Sequence, residues 1–174
     1  YDPSAGSVEA YRRGMAAIRR GAGDSFLLGC NHPMWPSIGE IHGSRSSMDI
    51  GRDWGSFTRI ARENLSRNWQ NNRLWWNDPD CLLLTGKQPD NEKSFHWAAT
   101  FATGGMVLSG DDVTKYGDAQ WLILQKAASN DGSSAQFADS QFTVGLTRQG
   151  GDPTAVFLNW IDQPQISRSP EPDQ

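Results

Sequence analysis

The chain alternates amphipathic stretches with short apolar runs, and the spacing predicts a series of helices and strands. Residues 7–20, SVEAYRRGMAAIRR, place Val8, Tyr11, Met15 and Ile18 on one side of a helix. Ser7 is its expected cap, and Arg19-Arg20 sit at the end that favours positive charge. Residues 26–30 are an apolar run of strand length ended by Asn31-His32-Pro33, and residues 38–43 predict a second extended piece. Helical spacing returns at 57–68, with Phe57, Ile60, Ala61, Leu65 and Trp69 facing one way. Strands are predicted at 73–76 and 81–84, on either side of Asn77-Asp78-Pro79-Asp80. A helix at 92–103, a strand at 104–109 and a helix at 118–128 follow. Helices alternating with short apolar strands read as the βα units of a parallel sheet. After Ala135 the pattern changes to strand-like runs at 141–146 and 154–160 joined by a Gly-rich turn, the start of an antiparallel module. Residues 167–174, SRSPEPDQ, have the composition of a disordered tail.

Each expected parallel strand is followed by polar residues: Asn31-His32, then Arg45 and Asp49, then Asn77-Asp78 and Asp80, then Asp111-Asp112. Parallel α/β proteins build their sites at the C-terminal ends of the strands, so this rim is the candidate site. Clustered carboxylates bind metal, act as acid, base or nucleophile, or hold sugar hydroxyls. Asp49, Asp78, Asp80 and Asp111 are hard oxygen donors, and a metal-dependent hydrolase using Asp78, Asp80 and Asp111 is one reading. There is no HExxH, no paired-Cys spacing and no His pair, so no metal and no cofactor are expected. His32, His42 and His96 are isolated in sequence and suit structural hydrogen bonds. Glycoside chemistry needs two carboxyl groups, about 5–5.5 Å apart for retention and about 6.5–9.5 Å for inversion, one of them protonated. Asp49 lies four residues after Arg45, so the guanidinium can orient substrate while the acid faces the leaving oxygen. A local Arg45–Asp49 ion pair, or Asp49 as a helix cap, explains the same spacing.

Composition narrows the partners. The 174 residues suffice for one domain with a core, or for part of a larger assembly. Net charge is -4 with basic residues scattered, which argues against a nucleic-acid surface. No apolar run approaches the roughly 18 residues of a membrane span. Cys30 and Cys81 make no disulfide framework, and a cytoplasmic location is the expectation. Eight tryptophans point to core fillers or to flat rings that stack on sugars.

Four strings, FLLGCNHPMWPSIGEIHGSRSSMD, RLWWNDPDCLLL, FATGGMVLSGDD and VFLNW, in this order, resemble the microbial α-galactosidases of glycoside hydrolase family 36. The resemblance implies an α/β fold, a partial (β/α)8 TIM barrel holding strands five to eight, followed by the beginning of an antiparallel β domain. It divides the chain into a half-barrel at 1–134, the second module at 135–166 and the tail at 167–174. It implies a retaining hydrolase of terminal α-galactosides, with Asp49 as general acid/base and Arg45 contacting substrate. Cys30, Asn31, His32, Trp76, Asp78 and Asp80 are the other residues it places at the sugar pocket. The family more usually has Gly-Ala where this chain has Asn31-His32. The family's nucleophile, an Asp of a Lys-x-Asp motif on the fourth strand, is expected upstream of Tyr1. A second polypeptide segment or a homo-oligomer is therefore expected to complete the barrel around a carbohydrate substrate. The alternative is a half-barrel that assembles or binds carbohydrate without catalysis.

Overall fold

The computed structural model describes residues 2–149 and 151–161; the expectations for 162–174 lie outside the described residues. Helix α1 (Ser7–Ala22) forms where the amphipathic spacing predicts it, with Glu9 in its first turn and Arg19 and Arg20 in its last. Gly6 rather than Ser7 is its cap, and it stops at Gly23, whose φ of 57° suits glycine. None of its residues is buried, so its apolar side meets no core.

Strand β1 (Leu28–Gly29) pairs parallel with β2 (Gly43–Arg45), and a single helical turn, α2 (Met34–Ser37), lies between them. β2 pairs parallel with β3 (Trp76–Asp78), in the register Gly43↔Trp76, Ser44↔Asn77 and Arg45↔Asp78. The strand expected at 73–76 is thus displaced onto polar residues. Asn77 and Asp78 stand there because their side chains have partners: Asn77 Nδ2 donates to the Arg67 carbonyl at 3.1 Å, and Asp78 meets Arg45. Pro79 and Asp80 then interrupt the strand, and the chain resumes as β4 (Cys81–Leu82), parallel to β5 (Leu108–Ser109). The Met106 N–H donates to the Asn77 carbonyl at 2.8 Å, so the segment entering β5 also runs beside β3. Parallel neighbours therefore follow chain order. A separate antiparallel sheet contains β6 (Gln136–Phe137), β7 (Val144–Gln149) and β8 (Asp152–Phe157), as the second module predicts.

Helix α3 (Trp54–Ser66) begins three residues before the periodicity predicts, because the Asp53 carboxylate caps it by accepting the Ser56 N–H at 2.8 Å. It also ends earlier. Trp69, expected on its inward side, instead sits in the 3₁₀ turn Asn68–Gln70 and is 47% exposed. Helices α4 (Asp90–Thr103) and α5 (Asp118–Ala128) occupy the predicted positions. Phe57, Ala61 and Leu65 of α3 pack with Phe95, Ala99 and Ala102 of α4, with Leu83, with Val156 of β8 and with Leu158 just after it. The antiparallel module therefore shares its core with the two central helices. Among the described residues the fold is mixed α/β, with five α-helices and three small sheets that close no barrel.

Candidate active site at the strand ends

Arg45 ends β2 and Asp78 ends β3, and the parallel register sets them side by side. Arg45 Nε donates to Asp78 Oδ2 at 3.0 Å, while Nη1 lies 3.0 Å from Asp80 Oδ2 and 3.2 Å from Asp49 Oδ1. The Asp78 side chain is 0% exposed and that of Asp49 is 96% exposed. One guanidinium thus joins two enclosed acids to one that stands in solvent. Burial opposes the charge on Arg45, but the hydrogen bond and charge of Asp78, with the charge of Asp80, raise its pKa above the ordinary arginine value.

The Asp78-Pro79-Asp80 segment is itself braced. Asp78 Oδ1 accepts the Asp80 N–H at 2.9 Å, and Asp80 accepts the Cys81 N–H at 2.6 Å and the Ile50 N–H at 2.8 Å. Asp80 holds a φ of 74°, in the left-handed region that side chains seldom adopt. Its bond to Ile50 ties this bend to the loop that carries Asp49.

Cys30, Asn31, His32, Arg45 and Asp49 line one groove of about 630 Å³. Asn31 turns the chain out of β1 with a φ of 51°, beside the exposed Cys30. His32 is fixed edge-on to Trp75, with ring centroids 5.4 Å apart. Its Nδ1 meets Ser37 Oγ and its Nε2 meets Ser44 Oγ, each at 2.8 Å, and Ser37 in turn meets the Tyr11 hydroxyl at 2.7 Å. Both ring nitrogens are therefore engaged by hydroxyls, and His32 braces the groove wall between α2 and β2. Asp78 and Asp80 lie behind Arg45 and do not line this groove. Trp76, 40% exposed, lines a different one.

The groove also holds residues the sequence reading passed over: Glu63, Arg67 and Trp75. Glu63 Oε2 accepts the Met48 N–H at 2.8 Å, and Arg67 Nη1 donates to the Ser46 carbonyl at 2.7 Å. Both hold the loop after β2. They lie one helical turn apart at the end of α3, a spacing that places charged groups together on one face.

Asp111 serves a different junction. Burial works to raise its pKa, but Arg52 Nη2 at 2.7 Å, the Leu84 N–H at 2.6 Å, Thr85 Oγ1 at 2.8 Å and the Tyr116 hydroxyl at 3.0 Å bring it down to about 2. It locks the loop after β5 to the end of β4. Among the described residues no group of three or more His, Cys, Asp and Glu is arranged to hold a metal ion. No helix among them is long and apolar enough to cross a membrane.

The groove thus presents two carboxylates, the exposed Asp49 beside the anchored Arg45 guanidinium and Glu63 bonded to the Met48 N–H. No protein-family model matches the chain.

Proposed function

We propose that this chain is the acid/base-bearing part of a retaining, α-galactosidase-like glycoside hydrolase, its parallel strands being the fifth to eighth of a (β/α)8 barrel. The observation that carries the reading is the Arg45 cluster: Asp78 and Asp80 fix the guanidinium, which holds the exposed Asp49 at 3.2 Å. The sheet edges support the barrel reading. Among the described residues β1 pairs only with β2, and β5 only with β4. Phe26 and Leu28 at one edge and Leu108 at the other are exposed, and neither α1 nor α5 buries a residue. Open parallel edges flanked by uncovered apolar side chains suit a further segment or subunit that continues the sheet.

In the first half-reaction Asp49 gives its proton to the glycosidic oxygen as that C–O bond breaks, and a carboxylate on the completing segment bonds to the anomeric carbon. In the second, Asp49 takes a proton from water as the water oxygen displaces that carboxylate, which restores both groups. In this reading Arg45, anchored by Asp78 and Asp80, holds the substrate hydroxyls beside Asp49. Glu63, the second carboxylate lining the groove, already holds the Met48 N–H and acts as a strap on the loop. The nucleophile is therefore assigned to the completing segment.

Asp49→Asn in the completed protein lowers kcat on an unactivated α-galactoside by about 10²–10⁴-fold, the usual contribution of a general acid/base. An activated aryl α-galactoside, whose leaving group needs no proton, suffers less in its first half-reaction. Wild-type turnover by Asp49→Asn on the unactivated substrate would remove the assignment. Saturable galactoside binding with no hydrolysis by the completed protein would favour the binding module instead.

A further inference from the structure

We infer that a second groove, built on Trp69 and Trp76, is a binding site for a neutral oligosaccharide. The groove has a volume of about 780 Å³, within the roughly 300–1,000 Å³ range of ligand sites, and shares no lining residue with the Asp49 groove. The segment between α3 and β3 divides the two: Gln70 and Trp75 line the Asp49 groove, whereas Trp69, Asn71 and Trp76 line this one.

Two indoles left 47% and 40% exposed in one groove are an unusual use of the largest apolar side chain. Trp76 is held in place rather than loose. Its ring lies on Gly132, where a Cβ would come within 2.8 Å of Cζ3. The Gly132 carbonyl is fixed by Asn71 Nδ2 at 2.7 Å and by the Gly105 N–H at 2.8 Å. Between the two tryptophans in sequence, Asn72 adopts a φ of 57° and donates its N–H to the Trp75 carbonyl at 2.8 Å. This tight turn carries the exposed side chains of Asn72 and Arg73 on the groove wall, and Asp131 and Arg148 also line it.

Preformed indole surface beside amide, carboxylate and guanidinium groups matches a sugar, whose C–H faces stack while its hydroxyls both donate and accept. An apolar peptide would bury those polar groups without partners, at a cost. A nucleic acid would find Asp131 in the groove and a net charge of -4 on the chain. A neutral oligosaccharide satisfies both halves of the lining.

The test is tryptophan fluorescence and calorimetric titration of the full chain with cellohexaose, xylohexaose and mannohexaose, none of which carries the α-galactosyl unit proposed for the Asp49 groove. At least one sugar is expected to give a saturable change, and Trp69→Ala is expected to weaken it by at least about tenfold, the scale of one lost aromatic contact. Arg73→Ala, at an exposed position, supplies a second variant should Trp69→Ala fail to fold. Asp49→Asn is expected to bind as the parent does, which separates this site from the catalytic proposal. The inference is overturned if no sugar binds, if both groove variants bind like the parent, or if Asp49→Asn abolishes the binding. It is equally overturned if the indoles prove to be covered by a second copy of the chain, seen as a fluorescence change that follows protein concentration without sugar.

Discussion

Arg45 holds three carboxylates with one guanidinium, and their burial separates their roles. Asp78 is enclosed, so Asp78→Ala leaves a partly buried Arg45 with a lost partner and is expected to cost about 3 kcal/mol in urea unfolding. Asp49 is open to solvent, and Asp49→Ala is expected to change stability by less than about 0.5 kcal/mol. Equal costs for the two variants would contradict this division. His96 gives a second residue-scale expectation. Burial lowers its pKa from 6.5 to about 4, and the Leu83 N–H donates to its Nε2 at 3.1 Å, so the ring is neutral in the folded chain. Because the folded pKa lies below the unfolded one, this contribution is fully present above about pH 6.5 and is lost as pH falls toward about 4. The loss amounts to about 3 kcal/mol. Urea midpoints taken at pH 7 and pH 4.5 should show a smaller acid loss for His96→Gln than for the parent; identical losses would contradict it.

The elements differ in how far their own sequence determines them. At Gly105 the chain has a φ of 86°, and a Cβ there would run into the Asn77 carbonyl that accepts the Met106 N–H. Gly105→Ala is therefore expected to destabilise by about 2–4 kcal/mol, through the strained φ and the displaced β3, as read by thermal or urea unfolding. A change below about 0.5 kcal/mol would show that β3 and the segment entering β5 are not in contact. Helices α4 and α5 were legible because each spans several turns of consistent periodicity and ends near a glycine or a polar turn. The start of α3 is less legible because the regular apolar spacing begins only at Phe57, whereas the helix is started by the Asp53 cap. The single turn α2 is too short for periodicity to register. β3 was misplaced because only pairing with β2, more than thirty residues earlier in the chain, makes Asn77 and Asp78 a strand. The same long-range register decides the site. Arg45 and Asp49 were legible as neighbours four residues apart, whereas the Arg45–Asp78 contact and the engagement of His32 by Ser37 and Ser44 come from tertiary pairing.

At the scale of the molecule, the C-terminal sheet, α3 and α4 share one core, while the first and last parallel strands lie at uncovered edges. Helix α1 is tied to the α2 segment through Tyr11, Arg12 and Arg19, yet among the described residues none of its side chains is buried. Helix α5 shows the same deficit. In the proposed enzyme the packed middle and unpaired ends belong to a larger sheet, whose completing part brings the nucleophilic carboxylate to the groove that Asp49 faces. The most direct test is proton NMR of the galactose anomer first released from raffinose by the native protein, beside the same protein carrying Asp49→Asn. The account predicts that the α anomer appears first and that the variant releases it far more slowly. Release of the β anomer first, or equal release by the variant, would contradict it.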